Sequence, residues 1–213
     1  MQDQKRADVA YATIQDMIVL QRLAPGSLVS ESEIMAITGL GRTPVREALQ
    51  RLARDRMVMI HPNKGVLVPE LSIESELKSL EVRRVLESLA VELACTRATL
   101  ENRAAMREMI ERIDRSGYSV SDYMETVKGT HQLIVEGAHN PYLADAMAPL
   151  QGLSRRFWLA HLRRPENEIK VASGLHRNIL RAILDGDPES GRNASLALND
   201  YLVDFSLRTV REP

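Results

Sequence analysis

GLGRTPVREALQRL, residues 39–52, decides the fold of the N-terminal part of this chain. Thr43 is a good N-cap residue, and Pro44 has the fixed φ that suits the first helical position. Apolar residues then recur with the i, i+3, i+4, i+7 spacing of one buried helix face, namely Val45, Ala48, Leu49 and Leu52. The opposite face carries arginine and glutamine, which contact guanine edges and phosphates. The pattern predicts a DNA-recognition helix.

A second, shorter helix is predicted just before it. Ser30 is placed to cap this helix, and Glu33 three residues later completes a capping box. We expect Ile34 and Ile37 to face inward and Gly39 to end the helix. A tight turn therefore joins two helices, as in a helix-turn-helix, which presents the second helix to the major groove of DNA.

Two short β-prone runs follow the recognition helix. They cover residues 57–60 and 66–68, and the segment His-Pro-Asn-Lys-Gly at 61–65 separates them with a turn. We interpret residues 1–70 as a winged helix-turn-helix DNA-binding domain with three helices and a two-stranded wing.

Residues 71–213 show helical patterns and no further strand signals. The predicted helix boundaries lie at Thr99, Ser119, Asn140-Pro141, Pro165 and Asp187-Pro188. These boundaries divide the segment into about six helices, so we predict an all-α bundle and a mainly α chain. The pairs Arg155-Arg156 and Arg163-Arg164 are interpreted as solvated helix faces, because paired charges on a helix usually face water.

Composition narrows the class of protein. The chain has 213 residues and a net charge of −1, so any positive field is local, around the recognition helix. Its single cysteine, Cys95, excludes an intramolecular disulfide, and no apolar run approaches the roughly 20 residues of a membrane span. Residues 1–6 lead into no signal-peptide core. We therefore expect a cytoplasmic protein.

The same motifs resemble a known family. The segments LAPGSLVSE at 23–31 and RTPVREAL at 42–49, with a wing ending in GVLV at 65–68, closely resemble the DNA-binding domain of GntR-type bacterial transcription regulators. The segment EVRRVLE at 81–87, with the segments around His131 and His176, resembles the FCD effector domain of the FadR-type branch. Two departures are Gly41 in place of the usual serine and Arg56 in place of the usual glycine.

This resemblance implies a ligand-responsive repressor that binds a pseudo-palindromic operator as a homodimer, with the small-molecule effector in the domain at 71–213. Residues expected at the DNA are Ser30, Arg42, Thr43, Arg46, Gln50, Arg51, His61, Lys64 and Gly65. We expect Arg42 and Arg46 to contact bases or adjacent phosphates, and Lys64 to enter the minor groove at the wing tip. Alternatives are a winged helix that contacts protein or RNA, and a small metal-dependent enzyme built on the bundle. Because no nucleophile elbow, phosphate loop, HExxH or CxxC motif is present, we expect no enzyme.

Two histidines are predicted to point into the bundle, because His131 and His176 both lie on apolar helix faces. The resemblance implies a metal held by an aspartate four residues before the first histidine, by both histidines and by a third on the last helix. Here those extra positions are Val127 and Tyr201, so half of the ligand set is missing. One hypothesis keeps a zinc, nickel or manganese ion at His131 and His176. The other makes them hydrogen-bonded core residues or, with Arg83 and Tyr201, part of an effector site for a carboxylate.

Overall fold

A computed structural model describes residues 2–115 and 119–211 of the chain. This part is mainly helical, as predicted. Its helices and strands are α1 (Gln2–Val19), β1 (Leu28–Val29), α2 (Glu31–Thr38), α3 (Arg42–Arg54), β2 (Met59–His61), β3 (Gly65–Leu67), α4 (Ile73–Arg97), α5 (Leu100–Asp114), α6 (Val120–Gly137), α7 (Pro141–Ala160), α8 (Pro165–Asp185) and α9 (Pro188–Arg211).

The chain forms two compact units. The N-terminal unit contains the residues up to Ser75 together with Gly152–Ala160, and the helical unit contains Glu76–Gln151 and the residues from His161 onward. Helix α7 thus contributes its first part to the helical unit and its last part to the N-terminal unit. No sequence signal predicted that the segment 152–160 groups with the winged helix.

The first helix of the helix-turn-helix, α2, is capped as predicted. The backbone N–H of Glu33 donates to Ser30 Oγ at 3.1 Å, and the backbone N–H of Ser30 donates to the Glu33 carboxylate at 2.7 Å. Gly39 ends the helix with a φ of 68°. Ile34 is buried, but Ile37 is 60% exposed, so the prediction for Ile37 was wrong. The inward face of α2 runs through Ile34 and Met35 instead, which turns Ile37 toward solvent.

The recognition helix α3 begins two residues earlier than predicted. Gly41, not Thr43, is its N-cap, and Pro44 is the third helical residue. Proline is tolerated there because the first four N–H groups of a helix have no acceptor within the helix. The predicted inward face is confirmed: Val45, Ala48, Leu49 and Leu52 are all at most 1% exposed.

The wing has one strand more than predicted. β2 and β3 form the expected antiparallel hairpin, and the two-residue strand β1 pairs with β3 through Leu28 with Leu67 and Val29 with Val66. Gly65 has a φ of 124°, and a Cβ atom there would lie 2.8 Å from the Val29 carbonyl oxygen. A glycine is therefore needed where the wing meets β1.

Six helices, α4 to α9, are present in the described part of the second segment, in agreement with the prediction. Thr99 and Ser119 cap α5 and α6, and Pro141, Pro165 and Pro188 begin α7, α8 and α9. None of the described helices has both the length and the apolar character needed to cross a bilayer.

The two arginine pairs differ in their surroundings. Arg163 and Arg164 are exposed as predicted, but Arg155 and Arg156 are only 8% and 2% exposed, so the solvated-face prediction was wrong for that pair. Both lie in the segment 152–160, which packs within the N-terminal unit. The Arg156 guanidinium donates to the Pro69 carbonyl, and burial lowers the pKa of Arg156, an effect that Glu70 opposes.

Candidate functional sites

The exposed face of α3 is the first candidate site. Arg42, Thr43, Arg46 and Gln50 are all exposed, and at about 100° per residue they occupy less than a third of the helix circumference. Arg46 Nε donates to the Glu31 carboxylate at 2.8 Å while its side chain stays 58% exposed. This contact between α2 and α3 orients Arg46 across the helix-turn-helix without burying its charge.

Arg51 lies in different surroundings from the other predicted DNA-binding residues on α3. Its guanidinium pairs with Asp8 and stacks 4.4 Å from the centre of the Tyr11 ring. Tyr11 in turn donates to Asp55 at 2.7 Å, and burial together with that hydrogen bond raises the pKa of Tyr11. Arg51 therefore holds α3 against α1 within the N-terminal unit.

The remaining predicted DNA-binding residues lie at the cap of α2 and on the wing. Ser30 Oγ accepts the Glu33 N–H, which leaves its hydroxyl proton available to another acceptor. His61 is half-buried at the end of β2, and Lys64 is exposed in the turn, where its N–H donates to the His61 carbonyl. Gly65 is required by the backbone of the wing.

A buried cluster of ionisable side chains in the helical unit is the second candidate site. Arg83 on α4 is 2% exposed, and Glu87, one turn later on the same helix, is 1% exposed. Arg83 Nε and Nη2 donate to the two Glu87 carboxylate oxygens at 2.8 and 3.2 Å. Arg83 Nη2 also lies 3.1 Å from His131 Nε2 on α6. Among the described residues, Arg83 Nη1 has no hydrogen-bond partner.

The two histidines are in contact. His131 Nε2 lies 3.3 Å from His176 Nε2, and His176 Nδ1 lies 2.8 Å from the Ala172 carbonyl oxygen. Because a guanidinium only donates, His131 Nε2 accepts from Arg83. Burial lowers the pKa of His176 to about 4, so its ring is neutral at pH 7, with Nδ1–H donating to Ala172. The lone pairs of His176 Nε2 and His131 Nε2 then face each other.

Tyr201, the fourth predicted effector residue, contacts a different group. Its hydroxyl donates to Glu168 on α8 at 2.7 Å. Tyr123 on α6 is affected by both groups: burial raises the pKa of Tyr123, Tyr201 adds to the rise, and Arg83 opposes it. Sequence reasoning missed Tyr123, Glu87 and Glu168. The signals were present in the i+4 spacing of Arg83 and Glu87 and in the helix face that Tyr123 shares with His131.

This donor set does not fit a resident divalent ion. The position of the implied aspartate is the buried Val127, and the position of the implied third histidine is Tyr201, whose hydroxyl is engaged by Glu168. The nearby Glu87 carboxylate is neutralised by Arg83, whose charge lies next to His131 Nε2. In residues 2–115 and 119–211, no three His, Cys, Asp or Glu side chains form a group that could hold a metal.

Comparisons with known proteins match both parts of the chain to families. The family described as "FCD domain" matches residues 78–200, and "Bacterial regulatory proteins, gntR family" matches residues 6–68. The chain is 37% identical over 101 residues to an Nta operon transcriptional regulator of Aminobacter aminovorans, which covers 47% of the chain and about half of that relative (48%). It is 29% identical over 194 residues to a probable D-xylose utilization operon transcriptional repressor of Paenarthrobacter nicotinovorans, covering 85% and 81%. Escherichia coli McbR/YncC has the same fold, with a TM-score of 0.82 at 18% identity, over 96% of this chain and 98% of that one.

The Arg83–Glu87 pair generates a stability prediction. Glu87→Gln removes the carboxylate charge but keeps the side-chain shape, so it leaves the Arg83 guanidinium buried without its counter-charge. We expect the free energy of unfolding to fall by about 3 kcal/mol, measured by urea denaturation. Glu92→Gln on the same helix is the control: Glu92 forms a more exposed pair with Arg192 at 3.6 Å, so its loss should cost below about 1 kcal/mol. Equal losses in both variants would contradict the prediction.

Proposed function

The chain belongs to the GntR family of bacterial regulatory proteins and carries an FCD domain, and on this basis we propose that it is a ligand-controlled homodimeric repressor. As a member of this family it is a transcription regulator. The observation that carries the finer proposal is the pairing of an exposed, arginine-bearing α3 face with a buried arginine–histidine cluster in the FCD domain. Neither the relatives' names nor the described side chains favour the alternative of a metal-dependent enzyme.

On DNA, α3 would enter the major groove with its exposed face. Arg42 and Arg46 would contact bases or the adjacent phosphates, with Gln50 one turn beyond Arg46 on the same face. Ser30 and Thr43 would anchor phosphates through their hydroxyl groups. On the wing, Lys64 would enter the minor groove beside the backbone of Gly65, with His61 as a flanking contact. Arg51 acts through the position of α3, because Asp8 and Tyr11 hold its guanidinium.

A dimer supplies the specificity that one winged helix lacks. One such domain reads few base pairs, whereas two symmetric copies read two half-sites one helical turn or more apart. Helix α4 offers a surface for this contact, since Val82, Val85 and Leu89 are 52%, 67% and 42% exposed at i, i+3 and i+7. An exposed apolar stripe of this kind favours an interface with a second copy of the chain.

The effector that the buried cluster suits best is a small carboxylate. Arg83 Nη1 would offer its two N–H groups to an anionic group, because Nε and Nη2 already donate to Glu87 and His131. Tyr201 and Tyr123 would line the site on the α9 side. The ligand changes DNA affinity only through its different affinities for the DNA-bound and released arrangements. No metal is required, because Arg83 supplies the positive charge.

Arg46→Ala tests the DNA-binding face. We expect affinity for a duplex selected from a random-sequence library to fall about tenfold or more at constant salt, because each specific base contact is worth about 1–3 kcal/mol. Fluorescence anisotropy measures the affinity, and circular dichroism checks that the fold is kept. Arg107→Ala, at an exposed position of α5, is the matched control and should bind as the wild type does. If Arg46→Ala also binds as the wild type does, Arg46 is not a DNA contact.

Val85→Glu tests the proposed dimer surface. A carboxylate at the centre of a buried apolar interface is costly, so we expect the dimer dissociation constant to rise about tenfold or more in sedimentation experiments. The control is Leu100→Glu, since Leu100 is 87% exposed on α5, away from the stripe. Unchanged association of Val85→Glu, or equal weakening of both variants, would place the interface elsewhere.

A third experiment tests the carboxylate site and the absence of a metal together. Elemental analysis of protein purified without chelator should find no stoichiometric zinc, nickel or manganese. At least one of acetate, lactate and citrate should raise the thermal midpoint equally with and without EDTA. His131→Ala should lose that response, whereas the exposed His139→Ala should keep it.

Stoichiometric metal would overturn the metal-free proposal. A separation of 3.3 Å between His131 and His176 Nε2 is also that of two nitrogens at about 2.0 Å from one tetrahedral ion. A carboxylate response that disappears with EDTA would lead to the same conclusion.

A further inference from the structure

A second cavity of the helical unit lies outside the buried cluster. It has a volume of about 310 Å³, and it forms where the start of α8 meets the last turns of α9. Its lining includes His161, Arg163, Arg164, Glu168, Phe205 and Arg208. Three guanidinium groups thus face one carboxylate, which leaves the cavity with a surplus of positive charge.

The arginines of this cavity differ in their ion pairs. Arg208 Nη2 lies 3.1 and 3.3 Å from the two Glu168 oxygens, and its guanidinium is 5.9 Å from the centre of the Phe205 ring. Arg208 is 50% exposed, so this pair is open to water. Arg163 and Arg164 are exposed and form no ion pair with any residue that the structure describes. Two cations are therefore available to a ligand without any rearrangement of the core.

The start of α8 places Arg164 in the lining of the cavity. Arg164 is the N-cap residue and makes no side-chain capping bond, and Pro165 begins the helix. The three guanidinium groups match a tetrahedral dianion with three terminal oxygens better than a carboxylate with two.

We propose that this cavity binds a small phosphorylated molecule, with Arg163, Arg164 and Arg208 on the phosphate and the Phe205 ring against the organic part. A volume of about 310 Å³ suits a small metabolite and excludes a polymer from its interior. The phosphate competes with Glu168 for Arg208, because both anions use the same guanidinium.

Glu168 links this cavity to the effector cluster, and this step rests on the function proposed above. Its carboxylate also accepts the Tyr201 hydroxyl at 2.7 Å. When phosphate takes Arg208, Glu168 keeps Tyr201 as its partner, so the surroundings of Tyr201 change. Linkage is reciprocal, and an effector that moves Tyr201 changes phosphate affinity by the same factor.

The site is tested by titrating the whole chain with inorganic phosphate and measuring the heat of binding by isothermal calorimetry. We expect one saturable site per chain, from which acetate at equal ionic strength does not displace phosphate. Arg208→Gln and Arg164→Gln should each weaken binding about tenfold, as expected for one charge-assisted hydrogen bond. Arg181→Gln, at an exposed position of α8 outside the cavity, should bind as the wild type does.

The Glu168→Gln substitution is expected to change phosphate affinity in the opposite direction. It removes the competing charge but keeps an acceptor for Tyr201, so phosphate should bind several-fold more tightly. A merely structural role for Glu168 would not tighten binding. Unsaturable binding, equal affinities in all variants, or displacement of phosphate by acetate would overturn the site. Because the phosphate titrations of the wild type and the variants contain neither DNA nor carboxylate, their result is independent of the proposed repressor function.

The coupling between phosphate binding and Tyr201 is tested by a separate measurement. In protein with isotope-labelled tyrosine, the NMR signal assigned by Tyr201→Phe should move as phosphate saturates. Saturable binding with an unmoved Tyr201 signal would refute the linkage and leave the phosphate site standing.

Discussion

The buried pair of Arg83 and Glu87 is the interaction on which the helical unit depends. Taking two charges out of water is costly, and the cost is offset only because Arg83 meets both carboxylate oxygens of Glu87. The same guanidinium makes His131 Nε2 an acceptor, and His131 in turn contacts His176. One fixed cation thus sets the hydrogen-bonding roles of Glu87 on its own helix and of His131 on α6.

The arginines of the N-terminal unit occupy two kinds of surroundings. Arg46 keeps its charge at the surface while Glu31 orients it, and such an exposed pair contributes little to stability, so replacing Glu31 by another anion would cost little. Arg51 and Arg156 are instead tied to partners within the unit. Sequence alone does not separate these roles, because helix periodicity shows which face a residue occupies and not which element covers that face.

The departures from the family pattern also separate what is local in the sequence from what depends on packing. Val127 and Tyr201 replace two expected metal ligands, and this could be read directly from the sequence once the resemblance was recognised. The side-chain contacts that occur instead could not be predicted from the sequence. Arg83 and His131 are 48 residues apart, and Tyr201 and Glu168 are 33 apart. These pairings exist only after the helices have packed.

The sequence by itself determined the local structure: the capping box of Ser30 and Glu33, the caps at Thr99 and Ser119, the prolines that begin α7, α8 and α9, and the inward face of α3. Each depends on steric and hydrogen-bonding effects within one or two turns of chain. The tertiary structure alone decided the third strand β1, the burial of Arg155 and Arg156, and the contact of Arg83 with His131. Those features need distant segments to meet, and their energies come from packing and desolvation that no local pattern records.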